Sequence, residues 1–257
     1  MGFWDIDFKG DATKYQTNEQ QLISLLYGID VFDYVNETLL QKAIDGKIQE
    51  KKDVLYNHIL PPFEYNSKKL LKDCNIIEIG PGNGVMVNEL APQVKFIHLV
   101  DISKSIMESC ANQTINRDNV SYNVIFGKLD LSSIEDIDFV YSQSVFIHFT
   151  LFDVYLYFEE LKKCLNPNGM VYIDIIDTEN EYFVDFFYGE TFQKQLKDFK
   201  KVYNTTGTQT NTKTLFSPLP LSRVEELVGK LGFSLIHTEP ATENPTTSLL
   251  FKLRGDK

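Results

Sequence analysis

The run Asn75-Ile-Ile-Glu-Ile-Gly-Pro-Gly-Asn-Gly84 constrains this chain more than any other stretch. Ile76, Ile77 and Ile79 form a β-branched apolar run, the pattern of a strand buried on both faces, and it stops at Gly80, Gly82 and Gly84. Alternating glycines let the backbone turn sharply and leave it bare, so a molecule bound there meets main chain. Taken alone, the pattern fits a nucleotide-type site and a plain tight turn equally well. The flanking sequence separates the two.

From residue 74 onward strands and helices alternate. The strand candidates are 74–79, Phe96 to Val100, Val120 to Phe126, Asp138 to Ser142 and Met170 to Ile176. A helix is expected over 103–115 with Ser103 as its N-cap. Another is expected over 151–165, with Leu151, Val154, Tyr155, Phe158, Leu161 and Leu165 on one stripe, closed by the turn Asn166-Pro-Asn-Gly169. Such alternation with short connections predicts an α/β fold with a doubly wound, mainly parallel sheet. Residues 1–70 precede it as a helical cap. There Thr17 and Gln20 suggest a capping box before Leu22, Leu25, Leu26 and Ile29, and a second helix over Leu40, Ile44 and Ile48 continues toward Ile59, with Pro61 and Pro62 ending it.

After residue 176 the alternation breaks. Residues 177–220 carry an aromatic run from Tyr182 to Tyr203 and then a polar Asn/Thr/Gln tract, too long for a bare loop and read as an inserted lid. The aromatic run reads equally as a helix packed on the core or as a homodimer contact. Ser222 and Glu225 then suggest a capping box, with Gly232 as C-cap, followed by strands Phe233 to Thr238 and Ser248 to Leu253.

Composition narrows the partner. A net charge of -11 argues against a nucleic-acid backbone, which is bound through clustered Lys and Arg, and favours a small-molecule acceptor. Cys74, Cys110 and Cys164 lack CxxC spacing, which points to core thiols in a reducing, cytoplasmic compartment and to no structural zinc. The N-terminus has no signal-peptide pattern, no apolar stretch has bilayer-spanning length, and no His/Asp/Glu cluster suggests a metal.

The second strand ends at Asp101, about 20 residues past the glycines, where a carboxylate can accept from both ribose hydroxyls. Glu78, just before Gly80, disfavours a pyrophosphate and favours a cationic ligand. The alternative for Glu78 is a buried acid satisfied by backbone N–H groups.

Here the chain resembles the class I S-adenosylmethionine-dependent methyltransferases. The matching residues are Glu78 to Gly84, Asp101, Gly127-Lys-Leu-Asp130, Asp138 to Ser144 with Val145-Phe-Ile-His148, and Leu165 to Gly169, within about residues 70–177. The resemblance implies a Rossmann-like seven-stranded sheet with its last strand antiparallel, in a methyltransferase domain over 71–257, and S-adenosylmethionine as cofactor. It implies that Gly80, Gly82 and Gly84 pack on the methionine part, that Asp101 binds the ribose, and that Ile102 covers the adenine. Leu129 would support the adenine and Asp130 accept from its amino group, while Ser142 and Gln143 would line the floor near the sulfonium. Asp130 has a second reading as a turn-capping acid. Tyr15 is the candidate for an N-terminal aromatic over the cofactor, or else a core tyrosine.

Methyl transfer depends on alignment and desolvation, and needs a proton acceptor only when the nucleophile is a protonated hydroxyl or amine. His148, beyond the fourth strand, is the candidate general base, with a structural role at a helix start as the alternative. The expected reaction is O-methylation of a small polar acceptor, and the resemblance suggests a bacterial surface-glycan or capsule building block bearing a sugar hydroxyl or a phosphoramidate. An NAD(P)-dependent oxidoreductase and a non-catalytic cofactor-binding subunit are the competing classes.

Overall fold

The computed structural model describes residues 37–115, 118–125, 130–189, 193, 216–242 and 244–255. Seven strands form one sheet: β1 (Asn75–Ile79), β2 (Phe96–Asp101), β3 (Val120–Val124), β4 (Ile137–Ser142), β5 (Leu165–Ile176), β6 (Phe233–Pro240) and β7 (Thr246–Leu253). Their order is β3-β2-β1-β4-β5-β7-β6. The pairs β2–β3, β1–β4 and β4–β5 are parallel, and β7 runs antiparallel to both β5 and β6. This is the Rossmann-like sheet that was expected. Strand order reverses at β1 and β4, and open α/β sheets bind ligands at the carboxyl ends flanking such a reversal.

Two compact units divide the chain at Cys74/Asn75, Gly80/Pro81 and Gly127/Lys128. In the first, helix α1 (Glu37–Val54) runs through a π-helical turn, Leu55–Ile59, into α2 (Leu60–Asn66). The expectation that Pro61 and Pro62 end the helix is corrected, because both stand in the first turn of α2. Proline is tolerated in the first turn of a helical segment, and the π turn before it closes with Leu60 N–H donating to Leu55 O. Helix α3 (Val85–Leu90) packs against α1 through the Lys52–Glu89 ion pair at 2.7 Å, and Tyr56 donates to Glu89 at 3.1 Å. Helix α4 (Lys104–Gln113) starts at Ser103, whose Oγ accepts Ile106 N–H at 3.4 Å, as the sequence predicts. The expected helix near Leu22–Ile29 lies outside the described residues.

In the second unit, α5 (Leu151–Cys164) opens on a capping box of Thr150 and Asp153 and buries Val154, Phe158 and Leu161. The rings of Phe233 and Phe251 meet Phe158 edge-on at 5.1 and 5.3 Å. The turn expected at Asn166–Gly169 lies within the span of β5. Register passes from Ile137↔Leu165 to Phe139↔Met170, so the strand absorbs those residues as a bulge, with Asn168 at φ 67°. A short helix α6 (Phe183–Tyr188) follows β5, and α7 (Leu221–Lys230) precedes β6. The capping box predicted from Ser222 and Glu225 does not form. Instead Asp177 accepts Leu221 N–H at 3.1 Å, and Glu179 accepts both Ser222 N–H and its hydroxyl, so acids at the end of β5 cap α7 from across the fold. No helix among the described residues is long and apolar enough to cross a membrane.

Asp174 lies in the same unit, near the carboxyl end of β5, and is buried. Both its oxygens accept Ser144 N–H, at 2.8 and 2.9 Å, which pins the chain just after β4 where Ser144 takes φ 61°. Burial pushes the Asp174 carboxyl up to about 7, against the pull of the Ser144 N–H.

Two outcomes follow from this packing. Phe158→Ala should cost about 3 to 5 kcal/mol in urea unfolding, since it empties a fully buried site against the rings of Phe233 and Phe251, and a loss below about 1 kcal/mol would contradict that packing. An acid whose folded pKa is raised binds more protons folded than unfolded, so Asp174 costs stability as pH rises from about 4 through 7, on the order of 2 to 4 kcal/mol in all. Asp174→Asn keeps an acceptor for Ser144 and should flatten that slope between pH 5 and 8; a variant with the wild-type slope would refute the assignment.

Candidate functional site

In the second unit the exits of β1 and β4 touch. Gly80 has φ 74°, and a Cβ on it would stand 2.3 Å from Val145 Cγ2, so no side chain fits between the two loops. Ser142, fully buried, donates from its hydroxyl to Ile79 O at 3.1 Å and ties the two strand ends together. Glu78 is buried on β1, in register with Tyr141, and Gln143 is half-buried directly after β4. His148 closes a 3₁₀ turn, Phe146–His148. Its ring lies parallel to Phe216, with centroids 5.6 Å apart and planes 9° apart, and Phe216 meets Phe186 of α6 at 5.9 Å. Ser217 N–H donates to Ile147 O at 2.8 Å and Ser217 Oγ to His148 O at 3.1 Å. The returning end of the 177–220 segment is thus fastened to the turn that carries His148.

The first unit holds the rest of the glycine loop. Gly82 and Gly84 have φ 55° and 75°, and a Cβ on Gly84 would sit 3.1 Å from Cys110 Sγ, so glycine lets α3 and α4 approach. Asn83 is 1% exposed. Its Oδ1 accepts Lys51 Nζ at 3.1 Å and Val85 N–H at 3.4 Å, while its Nδ2 has no hydrogen-bond partner among the described residues. Asp101 ends β2, and its Oδ1 accepts Ser103 N–H at 2.7 Å. Burial pushes this carboxyl up to about 6, although the Ser103 and Ile102 N–H groups pull it down. Ile102 beside it is half-buried.

Asp130, in the second unit, is exposed, and its Oδ1 accepts Ser132 N–H at 2.9 Å, the geometry of its alternative reading as a turn acid. Tyr15 and Leu129 lie outside the described residues. Lys51, Asp174 and Phe216 are features that reading the sequence did not find. Asp174 carried a signal, a carboxylate inside the apolar run Val171-Tyr-Ile-Asp-Ile-Ile176. Lys51 carried none, since a lysine on a polar helix is ordinary. A groove of about 470 Å3 between α5 and α7, lined by Phe152, Tyr155, Arg223 and Leu227 among others, contains none of the predicted residues.

Residues 77–173 match the family model described as "Methyltransferase domain". No curated protein matches the sequence. Among solved structures, magnesium protoporphyrin IX methyltransferase from Synechocystis PCC 6803 with bound SAH aligns over 96% of this chain and 97% of that one, with TM-score 0.57 and 14% identity. A putative methyltransferase in complex with the Haloferax volcanii Trm112 activator aligns over 83% and 97%, with TM-score 0.55 and 13% identity. PKMT2 from Rickettsia typhi in complex with AdoHcy aligns over 72% and 50%, with TM-score 0.51 and 17% identity. At such identities these likenesses speak for the fold, and the family match over the glycine loop, Asp101 and β4 speaks for the chemistry. Residues 77–173 are thus similar to a methyltransferase domain, and the chain shares the fold of these solved methyltransferases.

Proposed function

We propose that this methyltransferase acts on a small polar acceptor at oxygen, with His148 taking the hydroxyl proton. The observation that carries the reading is the placement of His148: half-buried, stacked on Phe216 and anchored through Ser217, at the carboxyl end of β4. A base fixed there suits a nucleophile that must lose a proton. A net charge of -11 supports a small acceptor over nucleic acid. Sugar hydroxyls of surface-glycan or capsule building blocks are the first class to screen; a phosphoramidate oxygen, already ionised, would leave His148 no proton to take. Cytoplasmic placement belongs to the same proposal, supported by the burial of Cys74, Cys110 and Cys164 as thiols.

The residues fit the cofactor. Gly80, Gly82 and Gly84 hold left-handed backbone conformations that leave a bare cradle, and Asp101 offers a carboxylate to the ribose with only one oxygen engaged by Ser103. When bound, the cofactor supplies an electrophilic methyl on a sulfonium that loses its charge on transfer. In this proposal Asp101 accepts from both ribose hydroxyls, Ile102 and Leu129 flank the adenine and Asp130 accepts from its amino group. Ser142 and Gln143 form the floor, Glu78 orients the loop, and Tyr15 covers the cofactor. In this proposal Phe216 and Ser217, fastened to the turn that carries His148, help to exclude water around it and its acceptor.

A labelled-methyl transfer screen on small-molecule extracts should yield a methyl ether as product; transfer only to nucleic acid would overturn the acceptor class. His148→Asn should lower kcat about 100-fold or more and abolish its acid limb, whereas unchanged turnover from pH 6 to 9 would remove His148 from catalysis. Asp101 binds ribose as a carboxylate, so protonation opposes binding. Cofactor affinity should be flat above about pH 7 and weaken about tenfold by pH 5, as pH falls through the Asp101 pKa of about 6. Calorimetry on Asp101→Asn should show weak binding without that pH dependence, and a retained dependence would place its source elsewhere.

A further inference from the structure

The cation that reaches the glycine loop comes from outside the matched methyltransferase domain. Lys51, in the last turn of α1, places Nζ 3.1 Å from Asn83 Oδ1 and 3.4 Å from where a Cβ on Gly82 would stand. The Asn83 amide is 1% exposed, and two donors, Lys51 Nζ and Val85 N–H, converge on its oxygen. That fixes the orientation of the amide, because rotating it would set its own N–H against both donors. Nδ2 is then a buried donor lacking a partner among the described residues, a state that native proteins rarely leave unfilled. An ammonium and a neighbouring amide donor beside bare glycine backbone form a receptor for a carboxylate.

We infer that Lys51 and Asn83 form the subsite for the α-carboxylate of the cofactor's methionine end, so that the N-terminal helix recognises the cofactor as well as covering it. The inference rests on the cofactor-binding reading above and assigns that reading's carboxylate to two residues of the first unit. The carboxylate would accept from Nζ and from Nδ2, giving the amide its missing acceptor. Helix α1 would then respond to occupancy of the loop, because its lysine is the group that the ligand engages.

The test is calorimetric titration of the full chain with S-adenosylmethionine and with decarboxylated S-adenosylmethionine, which keeps the sulfonium, the nucleoside and the amine. Wild type should prefer the carboxylated ligand. Lys51→Met should weaken S-adenosylmethionine by about tenfold or more and leave the decarboxylated ligand within about twofold, and Lys51→Arg should restore most of the loss. Asn83→Asp separates binding from structure: it strengthens the pairing with Lys51, so the melting temperature should hold or rise while S-adenosylmethionine affinity falls. Equal losses for both ligands in Lys51→Met, or no loss for either, would overturn the carboxylate assignment while leaving cofactor binding intact. Failure of wild type to bind either ligand would instead refute the cofactor reading, and this inference with it.

Discussion

The contact between Gly80 and Val145 is the constraint on which the rest of the site depends. Adjacent parallel strands β1 and β4 end side by side, and their exits pass so close that a single methyl group would collide. Because residue 80 is glycine, the loop after β4 can lie against the loop after β1, with the Ser142 hydroxyl on Ile79 O holding the two ends together. Everything downstream inherits that position: Gln143, then Ser144 in a left-handed conformation held by Asp174, then the turn that delivers His148. One steric contact thus sets where His148 stands relative to the end of β1.

The carboxylates near the strand ends differ in what surrounds them, and so in what they do. Asp174 spends both oxygens on a backbone N–H and acts as a clamp, with burial raising its carboxyl to about 7. Asp101 engages Ser103 through one oxygen, and burial raises it to about 6, so it is held in a protonation state that a ligand's hydroxyl donors would shift toward the ionised form. Asp177 and Glu179 cap a helix that begins some forty residues later in the chain. Buried acids lower stability unless hydrogen-bonded, and Asp101, Asp174 and Asp177 each accept a backbone N–H.

The reading from sequence succeeded where the physics is local. Ser103 caps its helix because a side chain three residues from an amide can reach it, and the β-branched run before Gly80 forms a buried strand because both of its faces are apolar. It failed where a local rule had a distant competitor. Ser222 and Glu225 have capping-box spacing, yet Glu179 from beyond β5 takes the Ser222 N–H and hydroxyl that the box would use. Pro61 and Pro62 signal a helix end, yet a π turn places them in the first turn of a new segment, where prolines are tolerated.

By itself, the sequence determined the order of strands and helices, the glycine turn after β1 and the acid closing β2, because periodicity and turn chemistry are properties of neighbours in the chain. Only the tertiary structure decided that Lys51 reaches Asn83, that Asp174 holds Ser144 and that Phe216 lies against His148. Those pairs lie tens of residues apart. Each depends on how whole elements pack, and no local pattern marks a side chain for a partner that folding alone brings near.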